Sequence, residues 1–198
     1  MFALTSVLFL MRITFVSVAV PALLMTSYSL GNSIQPPVGH TGAAGEQDCS
    51  ACHKNGPVNP DTGSLTLQGM PDRYWPGQRY GLTVILSYPG MDRAGFQLSA
   101  RFSDGPDKGG QAGSFTMQDD RAQVVADQTS EIQYVQHSEP GLVLTAPAET
   151  SWRFVWQAPV RSNIAVVFNA AVNGANYDDS EFGDAVFLHS WKVEGQRP

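Results

Sequence analysis

The sequence predicts an all-β fold, an immunoglobulin-like antiparallel β-sandwich, on three observations. Short runs of apolar residues, several of them alternating with polar ones, recur from Ser64 almost to the end of the chain. Turn signals separate many of these runs, and three of them are Pro-Gly pairs at 76–77, 89–90 and 140–141. None of these runs has the convincing 3.6-residue period of an amphipathic helix. This combination is typical of two packed antiparallel sheets.

About nine strands are predicted, each because its residues favour a pleated, half-buried surface and because turn-forming residues bound it. The first, SLTLQ, alternates strictly, and RYGLTVILSY is a longer run that follows the first Pro-Gly turn. AGFQLSARF follows the second, EIQYVQH stops before the third, and SWRFVWQA ends at a proline. In chain order the predicted strands are 64–68, 79–88, 94–102, 111–117, 122–127, 131–137, 151–158, 164–172 and 185–193.

The part of the chain before the strands divides into a leader and an irregular segment. Residues 1–29 are mostly apolar with Arg12 as their one charge, which predicts a secretory signal peptide cut near residues 29–31. The charged start of a signal fits Met11-Arg12 better, so Met11 is a possible true start. Residues 13–25 are too short to span a bilayer, although an uncleaved anchor over 2–25 is the alternative. Residues 30–63 predict an irregular lead-in, and 64–198 the sandwich domain.

The charge of the chain limits its partners and its location. The formal net charge is −6, and an acidic protein does not hold nucleic acid by neutralising phosphates. With the signal cleaved, no further membrane span is expected. Export, to the periplasm or to the extracellular surface, places both cysteines in an oxidising compartment.

The lead-in contains the stretch EQDCSACHKN, which holds both cysteines of the chain. Cys49 and Cys52 followed by His53 give the order Cys-x-x-Cys-His, the attachment signature of a c-type haem. The two thiols would bind the porphyrin covalently, and the His53 imidazole would be the proximal iron ligand. The alternatives are a local Cys49–Cys52 disulfide, a thioredoxin-like redox pair without its usual βαβ setting, and a zinc site without a second cysteine pair.

Several residues are candidates for a sixth iron ligand, and the residues alone leave the choice open. His137 ends a predicted strand whose alternation places it on the same face as Gln133 and Val135. A methionine such as Met70 or Met91, another histidine (His40 or His189), or no ligand at all are the alternatives. The acidic loop at 176–184 resembles no calcium-loop template, so Ca²⁺ is not expected there.

Several stretches together resemble bacterial Reelin-domain-like exported proteins, of the Reeler or choice-of-anchor V type. They are PPVGHTGAAGEQDCSACH, YWPGQRYGLTV, AGFQLSA, IQYVQHS, WRFVWQAP and VFNAAVN, in this order along the chain. The resemblance implies an immunoglobulin-like sandwich and an exported location. It also implies that His137 accompanies Cys49, Cys52 and His53, which favours His137 as the distal ligand.

Two functions are expected from these observations. The first is a monohaem c-type cytochrome with one covalent haem c, held by Cys49, Cys52, His53 and His137. It would transfer single electrons to a redox partner or membrane complex, as an electron carrier rather than a catalyst. Without a sixth iron ligand, a haem enzyme or gas sensor with an open site is a further interpretation. The alternative is a haem-free extracellular Reeler-like binding or adhesion module with a Cys49–Cys52 disulfide.

Overall fold

The computed structural model of the protein describes residues 34–161, 164–178 and 180–196. The predicted leader at 1–29, with Met11, lies outside these residues. Ten strands are present in chain order: β1 (Ser64–Gln68), β2 (Arg73–Tyr74), β3 (Arg79–Ser87), β4 (Arg93–Phe102), β5 (Ser114–Met117), β6 (Ala122–Ala126), β7 (Gln133–His137), β8 (Glu149–Gln157), β9 (Val166–Ala175) and β10 (Ala185–Gly195). The helical content of the described residues is two single 3₁₀ turns, at Cys49–Ala51 and Pro140–Leu142.

The strands form two sheets that pack face to face. One has the order β1-β3-β8-β5, and the other has the order β2-β10-β9-β4-β7-β6. Every pairing is antiparallel except that of β2 with the last two residues of β10, which is parallel. The predicted all-β antiparallel sandwich is therefore confirmed, with one short parallel contact that makes the larger sheet mixed.

The core between the sheets follows from alternation along the strands. In β8, every second residue from Thr150 to Trp156 is buried, whereas the residues between them are exposed or half-buried. Trp152 stacks on Phe96 of the opposite sheet with ring centroids 4.5 Å apart, and Trp156 meets Phe168 edge to face at 4.9 Å. Large rings buried from both sheets supply most of the apolar area that stabilises such a sandwich.

The outer face of the six-stranded sheet is polar and is covered by the lead-in. We call residues 34–61 the strap. Gln97 Nε2 donates to the Pro37 carbonyl at 2.9 Å, and the His40 amide donates to Gln97 Oε1 at 2.6 Å. Thr41 and Ser99 are both buried, with hydroxyl oxygens 3.3 Å apart. The strap therefore packs on the sheet, and its hydrogen bonds satisfy polar side chains that burial would otherwise penalise.

The second half of the strap runs beside the start of β10. The Val186 amide donates to the Pro57 carbonyl at 2.9 Å, and the Asn59 amide donates to the Val186 carbonyl at 2.8 Å. Gly56 is required here, because a Cβ atom at this position would lie 1.7 Å from the Asp184 carbonyl oxygen. Among the residues described, no helix is long and apolar enough to cross a membrane.

Candidate functional site

The Cys-x-x-Cys-His stretch forms one tight turn on the outer face of the six-stranded sheet. Asp48 caps the turn, since its carboxylate accepts from the Ser50 amide at 2.7 Å. The Cys49 carbonyl accepts from the amides of both Cys52 and His53, at 3.2 and 2.9 Å. Both cysteines are half-buried and present as free thiols. The protein packed around Cys49 raises the pKa of its thiol to about 12, with a smaller contribution from the Asp48 charge.

His53 is held by a carboxylate from the other end of the chain. Its Nδ1 lies 2.6 Å from Oδ2 of Asp184, whose side chain is 1% exposed. Asn173 on β9 donates from Nδ2 to the same carboxylate oxygen at 3.2 Å. Burial alone would raise the pKa of Asp184, but the hydrogen bonds from His53 and Asn173 together hold it below its ordinary value. Asn173 Oδ1 is buried without a hydrogen-bond partner among the described residues.

His137 ends β7, which lies two strands away from β9 and its Asn173 in the same six-stranded sheet. Strand alternation predicts that His137 shares a face with Gln133 and Val135, and Val135 is buried in the core. However, the β4–β7 pairing ends at Gln97 and Gln136, and the next contact is made by the His137 side chain. The Phe96 amide donates to His137 Nδ1 at 2.9 Å. A Cβ atom on Gly95 would lie 2.6 Å from His137 Cε1, so the ring covers the outer side of that glycine.

The structure thus brings His53 and His137 toward each other over neighbouring strands. Asn173, which contacts His53, is the register partner of Gly95, over which the His137 ring lies. His137 is 6% exposed, and its burial lowers its pKa to about 4; the charge of His53 contributes further in the same direction. A neutral imidazole is therefore the form of His137 at neutral pH.

The other candidate ligands lie elsewhere. His40 is in the strap, with Nδ1 3.1 Å from the Pro37 carbonyl oxygen. His189 is exposed on β10, tilted against Trp191 with ring centroids 4.6 Å apart. Met91 is buried in the core, and Met70 is partly buried and packs against the core. Each of these residues therefore has a packing or hydrogen-bonding role of its own.

Sequence reasoning missed the buried anchor of the strap. Glu46 forms an ion pair with Arg101 of β4 and accepts from the Tyr134 hydroxyl at 2.5 Å. Arg101 Nη2 also donates to the Tyr134 hydroxyl at 3.0 Å, and Thr41 donates its hydroxyl to Glu46. Burial and the hydrogen bond to the Glu46 carboxylate raise the pKa of Tyr134. Glu46 lies in a glycine-rich segment without periodicity, so no sequence pattern predicted this contact.

The donor groups of the described residues do not form a metal cluster. No group of three or more His, Cys, Asp or Glu side chains in that part of the chain is arranged to hold a metal ion. In the acidic loop, Asp178 accepts from the side chain of Asn176 at 3.0 Å and from the Ser180 amide at 3.0 Å. Asp178 is therefore used within the loop, and Asp184 is used by His53.

Comparison with known proteins places this site inside a known domain. A family model described as the Reeler domain matches residues 48–177. The chain belongs to the Reeler domain family. The matched range includes Cys49, Cys52, His53 and His137, and it extends from the strap to the loop after β9. The resemblance predicted from the sequence is confirmed at the level of this family. No curated protein matches the chain.

Solved structures of similar fold include two reeler domains. The human F-spondin reeler domain (fragment 1) is 22% identical, with a TM-score of 0.46; the match covers 72% of this chain and 93% of that one. The Reelin-N domain of F-spondin is 20% identical, with a TM-score of 0.47 and coverage of 75% and 96%. A cohesin module from a Clostridium perfringens ATCC13124 family 33 glycoside hydrolase is 12% identical, with a TM-score of 0.47 and coverage of 69% and 98%.

The prediction of a monohaem c-type cytochrome that transfers single electrons is wrong. The Reeler domain match starts at residue 48, so the Cys49–His53 turn belongs to the Reeler domain and not to a separate cytochrome unit. In the described part of the chain, no group of three or more His, Cys, Asp or Glu side chains that could hold a metal ion includes this turn. The predicted redox partner and membrane electron-transfer complex depended on this function and are therefore not supported. The assignments of Cys49, Cys52, His53 and His137 as cofactor-binding residues stay predictions.

Proposed function

We propose that this Reeler-family chain is an exported binding or adhesion module that works outside the cytoplasmic membrane. The observation that carries the proposal is the family match over residues 48–177, which includes the Cys49–His53 turn and every strand from β1 to β9. The fold agrees with this role, because a sandwich buries its interior and leaves loops and edges to contact a ligand. The apolar leader at 1–29 supports export.

Within this function, Cys49 and Cys52 act as a local staple. They lie three positions apart in one turn that the Cys49 carbonyl closes, and both are free thiols in this structure, so the staple forms only on oxidation. The raised pKa of Cys49 makes it a poor nucleophile, which argues against a catalytic redox pair. Oxidation after export would fix the turn, and with it His53, on the sheet.

The binding role is tested with the mature protein, residues 30–198, purified under oxidising conditions and labelled with a fluorophore. The labelled protein is added to intact source cells that lack the gene and to their isolated envelopes. Saturable retention that unlabelled protein displaces is expected. Absence of saturable retention on both cells and envelopes overturns the proposal. A variant with serine at both cysteine positions is expected to bind more weakly, because its strap is less firmly held.

The covalent haem c is a separate question about the cofactor and stays a proposal. Two features support it. The first is the hydrogen bond between Asp184 and His53, because a carboxylate partner of this kind orients an imidazole that binds a metal. The second is the position of the His137 ring over Gly95. Intact mass of the exported protein distinguishes the two states of the turn. The staple gives the mass of the bare chain less two hydrogens, whereas attachment adds the mass of one haem together with a Soret band.

A further inference from the structure

Three large apolar side chains are exposed at one end of the sandwich, the end at which β4 and β10 begin and β9 ends. They are Val143, Tyr177 and Phe182, which are 56%, 57% and 50% exposed. Single exposed apolar residues are ordinary on a protein surface, but several at one place mark a surface that contacts a partner. We call these three residues the end patch. The Cys49–His53 turn is not part of it.

Arg93, at the start of β4, joins two members of the end patch. Its guanidinium carbon lies 3.8 Å from the centroid of the Tyr177 ring, and its backbone forms an isolated bridge with Val143. Phe182 stands on the same loop as Tyr177, the loop between β9 and β10, and its backbone forms a bridge with Lys54 of the strap. The three side chains are therefore presented by segments that contact one another.

The backbone of Tyr177 is held in an unfavourable conformation. Its φ is 55°, a left-handed value that a bulky side chain rarely adopts. The loop maintains this conformation, because the Asn176 amide donates to Oδ1 of the buried Asp184 at 3.3 Å and the Asn176 side chain donates to Asp178 at 3.0 Å. Strained residues of this kind cluster where proteins contact ligands. The Tyr177 ring is thus positioned before a partner arrives, which lowers the cost of ordering it on binding.

Three carboxylates border the end patch, each on a residue next in sequence to Arg93, Tyr177 or Phe182. They belong to Asp92, Asp178 and Glu181, the first two exposed and the third half-buried. None of the three forms an ion pair with another described residue. The two nearby cations have contacts of their own, since Arg93 lies over the Tyr177 ring and Lys54 Nζ donates to the Ser50 carbonyl at 2.7 Å. The end patch is therefore apolar at its centre and negative at its border.

This charge decides which partner fits the end patch. Anionic lipid headgroups and acidic polymers would be repelled by the carboxylates. A second copy of the chain would bring the same carboxylates to the interface, because a two-fold dimer uses the same surface on both subunits. A small ligand needs a concave site, whereas these side chains are half exposed or more. A protein surface that carries lysine or arginine beside apolar residues has both the complementary charge and the apolar character.

We propose that the end patch docks a segment of another protein that is rich in lysine or arginine and contains apolar residues. This basic segment is the partner class of the binding function proposed above, on which the inference rests. Val143 and Phe182 would contact its apolar side chains and supply most of the affinity. Asp92 and Glu181 would pair with its cations, which speeds association and excludes acidic partners.

The test measures the binding of the mature chain to a labelled synthetic peptide in which lysine and leucine alternate, by fluorescence anisotropy. Saturable binding is expected, and its association constant should fall about fivefold or more when NaCl is raised to about 0.5 M. Phe182→Ser should lower the association constant about fivefold or more. The double variant Asp92→Asn/Glu181→Gln should lower it by a similar factor, because it removes two of the three bordering charges.

Two matched controls change the opposite end of the sandwich. Trp75→Ser removes an aromatic side chain that is 55% exposed, and Asp72→Asn/Asp104→Asn removes two exposed carboxylates. Both controls should leave the association constant unchanged. Equal losses in the controls, absence of peptide binding, or equal binding of a peptide with glutamate in place of lysine would each overturn the inference.

Further outcomes assign the end patch to another occupant or separate it from the proposed function. Binding to phosphatidylglycerol vesicles, or dimerisation of the chain, that Phe182→Ser abolishes would replace the basic segment with a membrane or a second copy. Envelope retention that Phe182→Ser and high salt leave unchanged defeats the end patch while the binding function stands. Absence of envelope retention together with peptide binding that Phe182→Ser weakens defeats the binding function at the envelope and leaves the end patch as a site for basic segments.

Discussion

Removal of the Glu46 carboxylate should loosen the strap and lower the stability of the whole domain. Glu46 is the strap residue that pairs with Arg101 and with the Tyr134 hydroxyl, and the two charged side chains are 9% and 16% exposed. In Glu46→Ala, the guanidinium stays on the polar face of the sheet without its counter-charge. Arg101 Nε is already buried without a hydrogen-bond partner among the described residues, so the charge has little to compensate it.

The magnitude follows from the burial of the pair. Removing one partner of a buried ion pair costs about 3–5 kcal/mol, because an uncompensated charge remains. The residual exposure of Arg101 and its hydrogen bond to Tyr134 place Glu46→Ala at the low end, at about 3 kcal/mol. In Glu46→Ala/Arg101→Ala no charge is left buried, so the double variant should lose less than the sum of the single variants. The resulting coupling energy should be about 2 kcal/mol.

The assay is urea unfolding of the oxidised mature chain, followed by limited proteolysis of the strap. Arg161→Ala is the matched control, because it also removes an arginine–carboxylate pair, with Asp107, but one in which the side chains are 60% and 44% exposed. Pairs of that exposure contribute about 0–1 kcal/mol. A coupling energy between Glu46 and Arg101 no larger than the effect of Arg161→Ala would refute the reasoning that the strap is anchored by burial of this pair.

Two further predictions concern the same face of the sheet. Burial lowers the pKa of His137 to about 4, so the folded state favours the neutral ring; the stability this provides is present above pH 6.5 and is lost as the pH falls toward 4. Between pH 7 and pH 4.5, this group should lower the free energy of unfolding by about 2 kcal/mol. In His137→Gln this part of the pH dependence should disappear. Urea unfolding at both pH values measures the difference. An unchanged pH dependence in His137→Gln contradicts the assignment. Gly56→Ala should lower the free energy of unfolding by about 2–3 kcal/mol in the same assay, because the new Cβ would overlap the Asp184 carbonyl. The control variant Lys54→Ala, two residues away, should change it little. Equal effects of the two substitutions would contradict the close approach of Gly56 to Asp184.

The strands were predictable because alternation and turn chemistry act locally. SLTLQ was placed without error, and most other boundaries differ by three residues or fewer, since strand ends depend on where a partner strand stops. β2 was missed because two residues are too short to show a period. Its pairing with β10 is formed by tertiary contact between segments more than 100 residues apart.

The site was less predictable than the fold, and the reasons are physical. The ion pair between Glu46 and Arg101 joins residues 55 positions apart, and neither lies in a pattern that announces a partner. Alternation placed His137 on the same face as Gln133 and Val135, and in the structure Val135 faces the core. However, β7 leaves its pairing with β4 one residue before His137, and the imidazole takes over the contact with the Phe96 amide. Strand period describes side-chain direction only while the ladder continues.

The order Cys-x-x-Cys-His predicted a haem because its spacing suits that chemistry, but the same residues also have a role in the Reeler fold. His53 binds a carboxylate that is 1% exposed, and the backbone of Lys54 pairs with the loop before β10 through the Glu181 carbonyl and the Gly183 amide. A buried Asp184 without His53 would lose the hydrogen bond that offsets its desolvation. The imidazole is therefore needed to satisfy that carboxylate whether or not an iron is bound. The presence of His53 after the two cysteines is thus explained by the fold and is not by itself evidence for electron transfer.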